Sequence, residues 1–465
     1  MFTSTQVQKE KPPAKLSENS ISVLRARYLR RDASGNVVET PRQMFERVAL
    51  AVAQAELAYG PAKQSHVWEE RFFELMSTLD FLPNSPTLMN AGTALGQLSA
   101  CFVLPIEDTL ESIFQALSNM AMIQRSGGGT GFAFSRLRAA GERLRSSGGT
   151  SSGPVSFMRI FDSATENIKL GGRRRGANMA VLRVDHPDIE EFIECKRDGR
   201  SLQNFNMSVA ASDEFMSAVQ TGGDQPLRAA DGRVVKNVSA RALFDRMCNA
   251  AWETGDPGLL FIDKVNRESP TPADGVIEST NPCGEVPLLP YECCNLGSIN
   301  LTHFVGTDGH EPSLDWERLR ETVHHAVRFL DDVITINRYP LREIEEATLA
   351  RRKIGLGVMG FAEACILMNI PYAGDAALTL AGQIMEFICQ RGAAGFSVAG
   401  GRSWHLPEME QQHLRKARAA AAQRHTDVDC AYRHHQPDRR HKFRDRTTLR
   451  PRLPARGSSG EGDAG

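Results

Sequence analysis

The segment Asn281-Pro-Cys-Gly-Glu285 restricts the fold and function of this chain more than any other stretch. It places a thiol two residues from a carboxamide and two residues from a carboxylate. In an extended segment, side chains at i, i+2 and i+4 share a face, so the spacing predicts that Asn281, Cys283 and Glu285 point into one pocket. There Glu285 can act as a base, Asn281 can orient a hydroxyl, and Cys283 can be a nucleophile or a radical carrier. On spacing alone, a proline-rich loop with incidental cysteines is an equal alternative.

Composition indicates a globular protein of the cytoplasm. The net charge is -1, which implies no bulk attraction to nucleic acid or to an anionic membrane. No apolar run reaches the length of a membrane span, and the polar start is not a signal peptide. The nine cysteines are scattered and odd in number, which suits a reducing compartment. There is no C-x-x-C pair, so we expect no structural zinc site and no protein-bound metal. From the net charge and the lack of an apolar span we expect no membrane partner and no direct nucleic-acid binding.

A second motif follows the first closely. Cys293 and the run Cys294-Asn-Leu-Gly-Ser-Ile-Asn300 come shortly after Glu285. The two motifs together resemble the active-site loop of ribonucleotide reductase large subunits. Residues 16–29 and 171–188 resemble the adenosylcobalamin-dependent class II type of that family. The resemblance covers roughly residues 16–388.

The segment Ile354-Gly-Leu-Gly-Val-Met-Gly360 also matches the dinucleotide-binding pattern G-x-G-x-x-G. That pattern requires a hydrophobic strand ahead of it, whereas Arg351-Arg352-Lys353 precede it here. In the reductases a very similar segment is a barrel strand and turn, and we expect that structure here.

The resemblance implies an α/β fold: a mainly helical N-terminal domain, then the first part of a ten-stranded α/β barrel that is incomplete in this chain. We expect a disordered arm at residues 1–15 and a helical domain at 16–92. A partial barrel with its active-site loop at 281–300 is expected at 93–389, and an aberrant, disordered tail at 390–465.

The resemblance also implies a role for each residue of the two motifs. Cys283 carries a thiyl radical and abstracts the 3′ hydrogen of a ribonucleotide, Glu285 takes the 3′-hydroxyl proton, and Asn281 holds the substrate hydroxyls. Cys101 and Cys294 deliver two electrons and end as a disulfide. Cys294 is preferred to Cys293 because it directly precedes Asn-Leu-Gly-Ser-Ile-Asn, as in the family; Cys293 is expected to be a bystander.

Substrate and effector contacts follow from the same resemblance. The expected substrate-binding residues are Ser85, Ala100, Cys101, Gly129, Asn281 and Glu285. A deoxynucleoside triphosphate effector that sets specificity is expected at Asp108, Arg125 and Arg138. The run Gln124-Arg-Ser-Gly-Gly-Gly-Thr-Gly131 by itself is a weak indication, because a glycine cluster is more often a turn than a ligand site.

The implied cofactor is adenosylcobalamin, the implied electron donor is thioredoxin or a similar dithiol, and a homodimer is expected. Two alternatives stay open: a class I large subunit with a radical-generating small subunit, and a non-catalytic nucleotide-binding remnant. A cysteine protease is disfavoured because no recognisable motif pairs a histidine with Cys283. Whether the substrate is a diphosphate or a triphosphate is not decided.

The sequence changes character after about residue 389, where Arg, His, Gln and Ala dominate. When the reading frame of residues 429–452 is shifted by one nucleotide, the codons permit a P-T-G segment that resembles the phosphate-binding loop of the reductases. We therefore expect a frameshift near residue 389, an open half barrel and impaired turnover.

Overall fold

The computed structural model describes residues 14–143, 148–168, 176–306 and 311–400, with side chains up to residue 392. The predicted arm at 1–15 lies outside these ranges except for its last two residues. Residues 171–175, the start of the class II-like stretch 171–188, lie outside them as well. So does the predicted tail from residue 401 onward.

The N-terminal part is helical, as predicted. It contains α1 to α4 and the 3₁₀ helix η1 (Glu18–Arg27, Pro41–Ala53, Ala62–Ser77, Ser85–Asn90 and Gln54–Ala58). Helix α2 begins directly after Thr40, because Thr40 and Gln43 form a reciprocal capping box and Pro41 occupies the first turn. Its apolar face, which includes Met44 and Val48, is fully buried.

The remaining helices alternate with strands along the chain. They are α5 to α14 (Leu110–Arg125, Gly153–Asn167, Ile189–Glu194, Asp213–Thr221, Ala240–Thr254, Ile262–Arg267, Trp316–Ile336, Arg342–Arg351, Phe361–Leu367 and Asp375–Gly400) and the 3₁₀ helices η2 and η3 (Pro272–Asp274 and Leu301–Phe304). The last helix runs past residue 389, so the backbone shows no break at the predicted start of the tail.

The strands in chain order are β1 to β14 (Phe81–Pro83, Cys101–Leu104, Gly129–Ala133, Asn178–Arg183, Phe205–Ala211, Asp224–Arg228, Val234–Ser239, Gly258–Phe261, Ser279–Thr280, Pro287–Leu288, Cys293–Asn300, Val305–Gly306, Ser313–Leu314 and Ile354–Met359). The main sheet has the order β1-β11-β2-β3-β4-β5-β8, and β14 also pairs with β11.

Strand direction divides this sheet into two parts. Strands β2, β3, β4, β5 and β8 are mutually parallel. Strand β11 runs antiparallel to β2 and parallel to β14, so β11 and β14 begin a second parallel set of opposite direction. The N-terminal part is not separate from the sheet, because β1 pairs with β11. The architecture is the helical domain and incomplete α/β barrel that the sequence predicts.

Alternation along the strands separates the two faces of the sheet. One face, which includes Phe102 and Phe132, packs into the large core formed with the helices. On the other face, Cys101, Val103 and Cys294 form a smaller apolar cluster with Ala100 and Leu288. The candidate catalytic thiols therefore lie on the face that the helices of the large core do not cover.

Among the described residues, β14 pairs with β11 alone and β8 with β5 alone. All six residues of β14 are only half-buried although most are apolar. These features fit the open half barrel that we expected. No described helix combines the length and the apolar character that a membrane span requires.

Candidate active site

The segment Asn281–Glu285 forms the turn of a hairpin and is not extended as the spacing predicted. Strands β9 and β10 pair with Thr280 opposite Pro287, and the chain reverses between them. Gly284 adopts a positive φ of 87°, and its N–H donates to the carbonyl of Asn281 at 3.0 Å. The predicted proximity of Asn281 and Glu285 still holds, because a tight reversal brings its two ends together.

The Asn281 carboxamide is the centre of the site. Its Nδ2 donates to Glu285 Oε2 at 2.6 Å and to Cys101 Sγ at 3.1 Å. Its Oδ1 accepts from the backbone N–H of Val286 at 3.0 Å, which fixes the amide orientation. The Cys101 thiol lies 3.8 Å from Glu285 Oε1. Asn281 thus joins the loop carboxylate to a thiol that is distant in sequence.

Cys283 and Glu285 are exposed at the tip of this hairpin, whereas Asn281 is buried. The turn is anchored to the sheet, because Asn206 of β5 donates its Nδ2 to the Pro282 carbonyl at 2.6 Å. The thiol is therefore presented to the open side of the half barrel by an anchored turn.

Cys101 and Cys294 form a pair of thiols across the junction of the two sets of parallel strands. Cys294 of β11 is the register partner of Cys101 of β2. Facing residues of antiparallel strands have Cα atoms about 4.5–5.5 Å apart, which is inside the range of about 4.4–6.8 Å that a disulfide spans. Both thiols are reduced and buried in this structure. Burial raises the pKa of Cys294 well above its ordinary value, with smaller contributions from Cys101, Cys293 and Glu285.

Cys293 points to the opposite face of β11 and belongs to the large helix-facing core. Its thiol donates to Ser99 Oγ at 3.3 Å and shares a hydrogen bond of 3.1 Å with Thr348 Oγ1. Burial raises the pKa of Cys293 to about 11. The alternation of a strand therefore supports Cys294, and not its neighbour, as the partner of Cys101.

Two of the other predicted substrate residues, Ala100 and Gly129, lie beside this pair. The Ala100 carbonyl accepts from Gly129 N–H at 2.9 Å, and the Ala100 N–H donates to Cys294 O at 3.2 Å. Ser85 is at the start of α4, half-buried, and its hydroxyl shares a hydrogen bond of 2.8 Å with the Tyr28 hydroxyl. Sequence reasoning missed Tyr28, and nothing in the local sequence indicates it.

Two of the three predicted effector residues are brought together. Arg138 Nε lies 2.6 Å from Asp108 Oδ2, and the Arg138 backbone N–H donates to Asp108 Oδ1 at 3.1 Å. Arg125 does not join them. It is the last residue of the 16-residue helix α5, whose N-terminus follows Asp108. A helix of that length spans about 24 Å, so Arg125 is at the far end.

Comparison with known proteins shows the family to which both parts of the fold belong. The sequence model of the ribonucleotide reductase barrel domain matches residues 99–427, and that of the ribonucleotide reductase all-alpha domain matches residues 14–96. This chain belongs to the ribonucleotide reductase family. The barrel match extends beyond residue 389, and the predicted frameshift stays a prediction.

Individual relatives agree with the assignment of this chain to the ribonucleotide reductase family. A vitamin B12-dependent ribonucleoside-diphosphate reductase of Mycobacterium tuberculosis is 53% identical over 81% of this chain and 54% of its own length. One from Thermoplasma acidophilum is 46% identical over 81% and 56%. A vitamin B12-dependent ribonucleotide reductase of Streptomyces clavuligerus is 36% identical over 80% and 42%. The chain spans about half the length of these curated relatives.

Gly131 is the residue of this reductase chain that sequence reasoning most clearly missed. A Cβ there would lie 1.8 Å from the Thr280 carbonyl oxygen, and one at Gly129 would lie 2.8 Å from Pro282 Cγ. Gly129 and Gly131 share one face of β3. The lack of side chains at Gly129 and Gly131 therefore leaves the space in which the active-site hairpin packs against β3. The spacing of two between these glycines was the available indication, whereas Asn206 had none.

Proposed function

We propose that this chain carries the catalytic thiol site of a ribonucleotide reductase that converts ribonucleotides to 2′-deoxyribonucleotides. One observation carries this proposal. The Asn281 amide holds Glu285 and Cys101 together, and Cys294 lies opposite Cys101. The reaction needs a base and two reducing equivalents at one place, and this arrangement supplies them beside the exposed Cys283.

In the proposed reaction, the radical form of Cys283 takes the 3′ hydrogen of the substrate. Glu285 accepts the 3′-hydroxyl proton, and Asn281 holds the substrate hydroxyls. The 2′ oxygen leaves as water. Cys101 and Cys294 supply the two electrons and two protons and become a disulfide, and the 3′ hydrogen returns from Cys283. One ribonucleotide and two thiols thus give one deoxyribonucleotide, one water and one disulfide.

Adenosylcobalamin is the proposed cofactor, and when bound it supplies the radical chemistry at Cys283. The exposure of Cys283 at the hairpin tip fits a bulky cofactor, because the thiol can be approached from the open side. No group of three or more His, Cys, Asp or Glu side chains suited to a metal occurs among the described residues. The cobalt of a corrin is held by the ring, so the fit requires no such group.

Two further features follow the names of the relatives. The Mycobacterium and Thermoplasma proteins are named as ribonucleoside-diphosphate reductases, which favours a diphosphate substrate over a triphosphate. These two proteins and the Streptomyces protein are all named as vitamin B12-dependent, which favours adenosylcobalamin over a radical-generating small subunit. A dithiol such as thioredoxin is the proposed reductant of the Cys101–Cys294 disulfide.

The test is deoxyribonucleotide formation from a ribonucleoside diphosphate with adenosylcobalamin and dithiothreitol. It uses the 465-residue chain and a version with the frame near residue 389 restored. We expect turnover in the restored version. Effector binding without turnover in both versions would contradict the proposal and favour a nucleotide-binding remnant. Resequencing codons 380–400 tests the frameshift independently.

We also propose that Asp108 and Arg138 form part of a deoxynucleoside triphosphate site. Their ion pair is about one-third exposed, so the guanidinium can exchange one anionic partner for a phosphate. We expect Arg138→Glu to weaken effector binding at least about tenfold in equilibrium dialysis, since charge-assisted hydrogen bonds are each worth about 1.5–3 kcal/mol. Arg125→Glu is the matched control at the far end of α5 and is expected to change binding less than about twofold. Equal losses in both variants would contradict this site.

A homodimer through α5 and α6 is the proposed assembly. Leu110 and Phe114 lie one turn apart on α5 and are 60% and 50% exposed, and Ile160 of α6 is 39% exposed. Apolar residues exposed side by side are typical of a protein interface. Sedimentation is expected to show a dimer that Phe114→Glu dissociates, and a wild-type monomer at all concentrations would contradict this assembly.

A further inference from the structure

The basic run Arg351-Arg352-Lys353 directly precedes β14, the strand that pairs with the strand of Cys294. Ile354 of β14 is the register partner of Asn295, and Lys353 directly precedes Ile354 as Cys294 directly precedes Asn295. Gly355 of β14 comes two residues after Lys353. A Cβ at Gly355 would lie 3.7 Å from Cys294 Sγ, so β14 passes close to the thiol at this residue.

The Lys353 ammonium is fixed by a buried carboxylate. Lys353 Nζ lies 2.6 Å from Glu292 Oε2, and Glu292 is only 1% exposed. The same oxygen accepts from the Leu289 N–H at 2.7 Å, and Arg351 Nε lies 3.4 Å from Glu292 Oε1. Because Glu292 is two residues before Cys294, the pair sits at one end of the thiol's own strand.

The charged and titratable groups around Cys294 are of both signs. Among the described residues, the positive charge of Lys353 lowers the pKa of Cys294, whereas burial, the two neighbouring cysteines and the Glu285 carboxylate raise it. The charged and titratable groups around Cys294 and around the acid that holds the lysine are Cys101, Cys293, Glu285, Lys353, Glu292 and Arg351. A cation held at this position acts when the thiol becomes an anion.

We propose that Lys353, held in place by Glu292, is a positioning residue that stabilises the Cys294 thiolate when the Cys101–Cys294 disulfide is reduced by a dithiol. The inference rests on the proposed function, in which these two thiols are the redox pair.

The exchange proceeds in two balanced steps. A donor thiolate attacks Cys101 Sγ, the sulfur that contacts Glu285 of the exposed hairpin and so lies toward the open side. The bond between the two protein sulfurs breaks, and its electron pair goes to Cys294 Sγ. The Lys353 ammonium stabilises this thiolate and gives it a proton, which water replaces. The second donor thiol then displaces Cys101, so the donor leaves as a disulfide and both cysteines are thiols.

The expected effect is kinetic. Thiol–disulfide exchange is faster when the leaving thiol has a lower pKa. Burial makes Cys294 a poor leaving thiolate, and removal of the neighbouring cation makes it poorer. We expect Lys353→Met to slow reduction of the disulfide about tenfold, equivalent to about 1.4 kcal/mol in the barrier. We expect Lys353→Arg to keep the rate within about twofold of wild type.

The test uses the full chain without nucleotide. The protein is oxidised, the Cys101–Cys294 peptide is identified by mass spectrometry, and its loss is followed in dithiothreitol at several pH values. The pH midpoint for alkylation of Cys294 in the reduced protein is measured as a second readout, and it is expected to rise in Lys353→Met. Lys264→Met, at an exposed lysine of α10, is the control for charge removal and is expected to leave both readouts unchanged.

The double variant Glu292→Gln/Lys353→Met removes both charges, so the fold does not have to hold a buried Glu292 carboxylate that keeps only its 3.4 Å ion pair with Arg351. It is expected to show the same slow exchange. A wild-type rate in both variants would overturn the inference, as would absence of the Cys101–Cys294 disulfide after oxidation. If disulfide reduction is slowed in the variants as expected, but neither the 465-residue chain nor the frame-restored chain forms deoxyribonucleotide, the proposed function is contradicted and the exchange step is still supported.

Discussion

Cys283→Ser is expected to abolish deoxyribonucleotide formation, by at least about 10³-fold, in a frame-restored chain. An O–H bond is too strong for a serine hydroxyl to take over hydrogen transfer from a thiol. Cys283 is exposed at the hairpin tip, so loss of its sulfur leaves no buried cavity and the fold is expected to persist. The measurement is product formation over many turnovers, with far-UV circular dichroism as the check on folding.

A matched control is available in the same chain. Cys248 on α9 is also exposed, and Cys248→Ser is expected to retain full activity. Effector binding and formation of the Cys101–Cys294 disulfide by added oxidant are expected to survive in both variants. Deoxyribonucleotide formation by Cys283→Ser would remove Cys283 from the mechanism.

Gly131→Ala is expected to displace the active-site hairpin from the sheet. The added methyl would lie 1.8 Å from the Thr280 carbonyl oxygen and 2.8 Å from the Thr280 carbonyl carbon, and neither is a flexible side-chain atom. Overpacking of this kind costs about 1–3 kcal/mol of stability. A displacement of about 1 Å at a catalytic group can also lower turnover about 100-fold, so we expect both losses together.

The control for this prediction is Gly306→Ala in β12, where an added Cβ meets nothing within 4 Å. Urea denaturation and turnover are measured for both variants. We expect Gly306→Ala to behave like wild type. If Gly131→Ala kept both wild-type stability and turnover, the hairpin would not dock on β3 as described.

The fold and the thiol pair could be predicted from the sequence because the family resemblance rests on contiguous motifs, Asn281–Glu285 and Cys294–Asn300. The pairing of Cys101 with Cys294 joins residues far apart in the chain, and local periodicity cannot supply such a pairing. The structure adds a physical reason for it, since the two cysteines occupy facing register positions and Cys293 points to the other side.

The expectations that the structure corrected were local ones. An i, i+2, i+4 pattern predicts a shared face only if the segment is extended, and Gly284 with its positive φ makes Asn281–Glu285 a turn instead. Arg125 is separated from Asp108 in space by α5, and its expected effector contact stays a prediction that the Arg125→Glu variant tests. Asn206 and Tyr28 act through tertiary contacts, which a single sequence does not reveal.

The measurement that tests the central claim most directly is a single turnover without external dithiol. The reduced, frame-restored chain is mixed with adenosylcobalamin and a ribonucleoside diphosphate, and deoxyribonucleotide and thiols are then counted. We predict one product per active site, loss of two thiols, and a disulfide that joins Cys101 to Cys294. Product without that disulfide, or a disulfide that includes Cys293 in place of Cys294, would contradict the account.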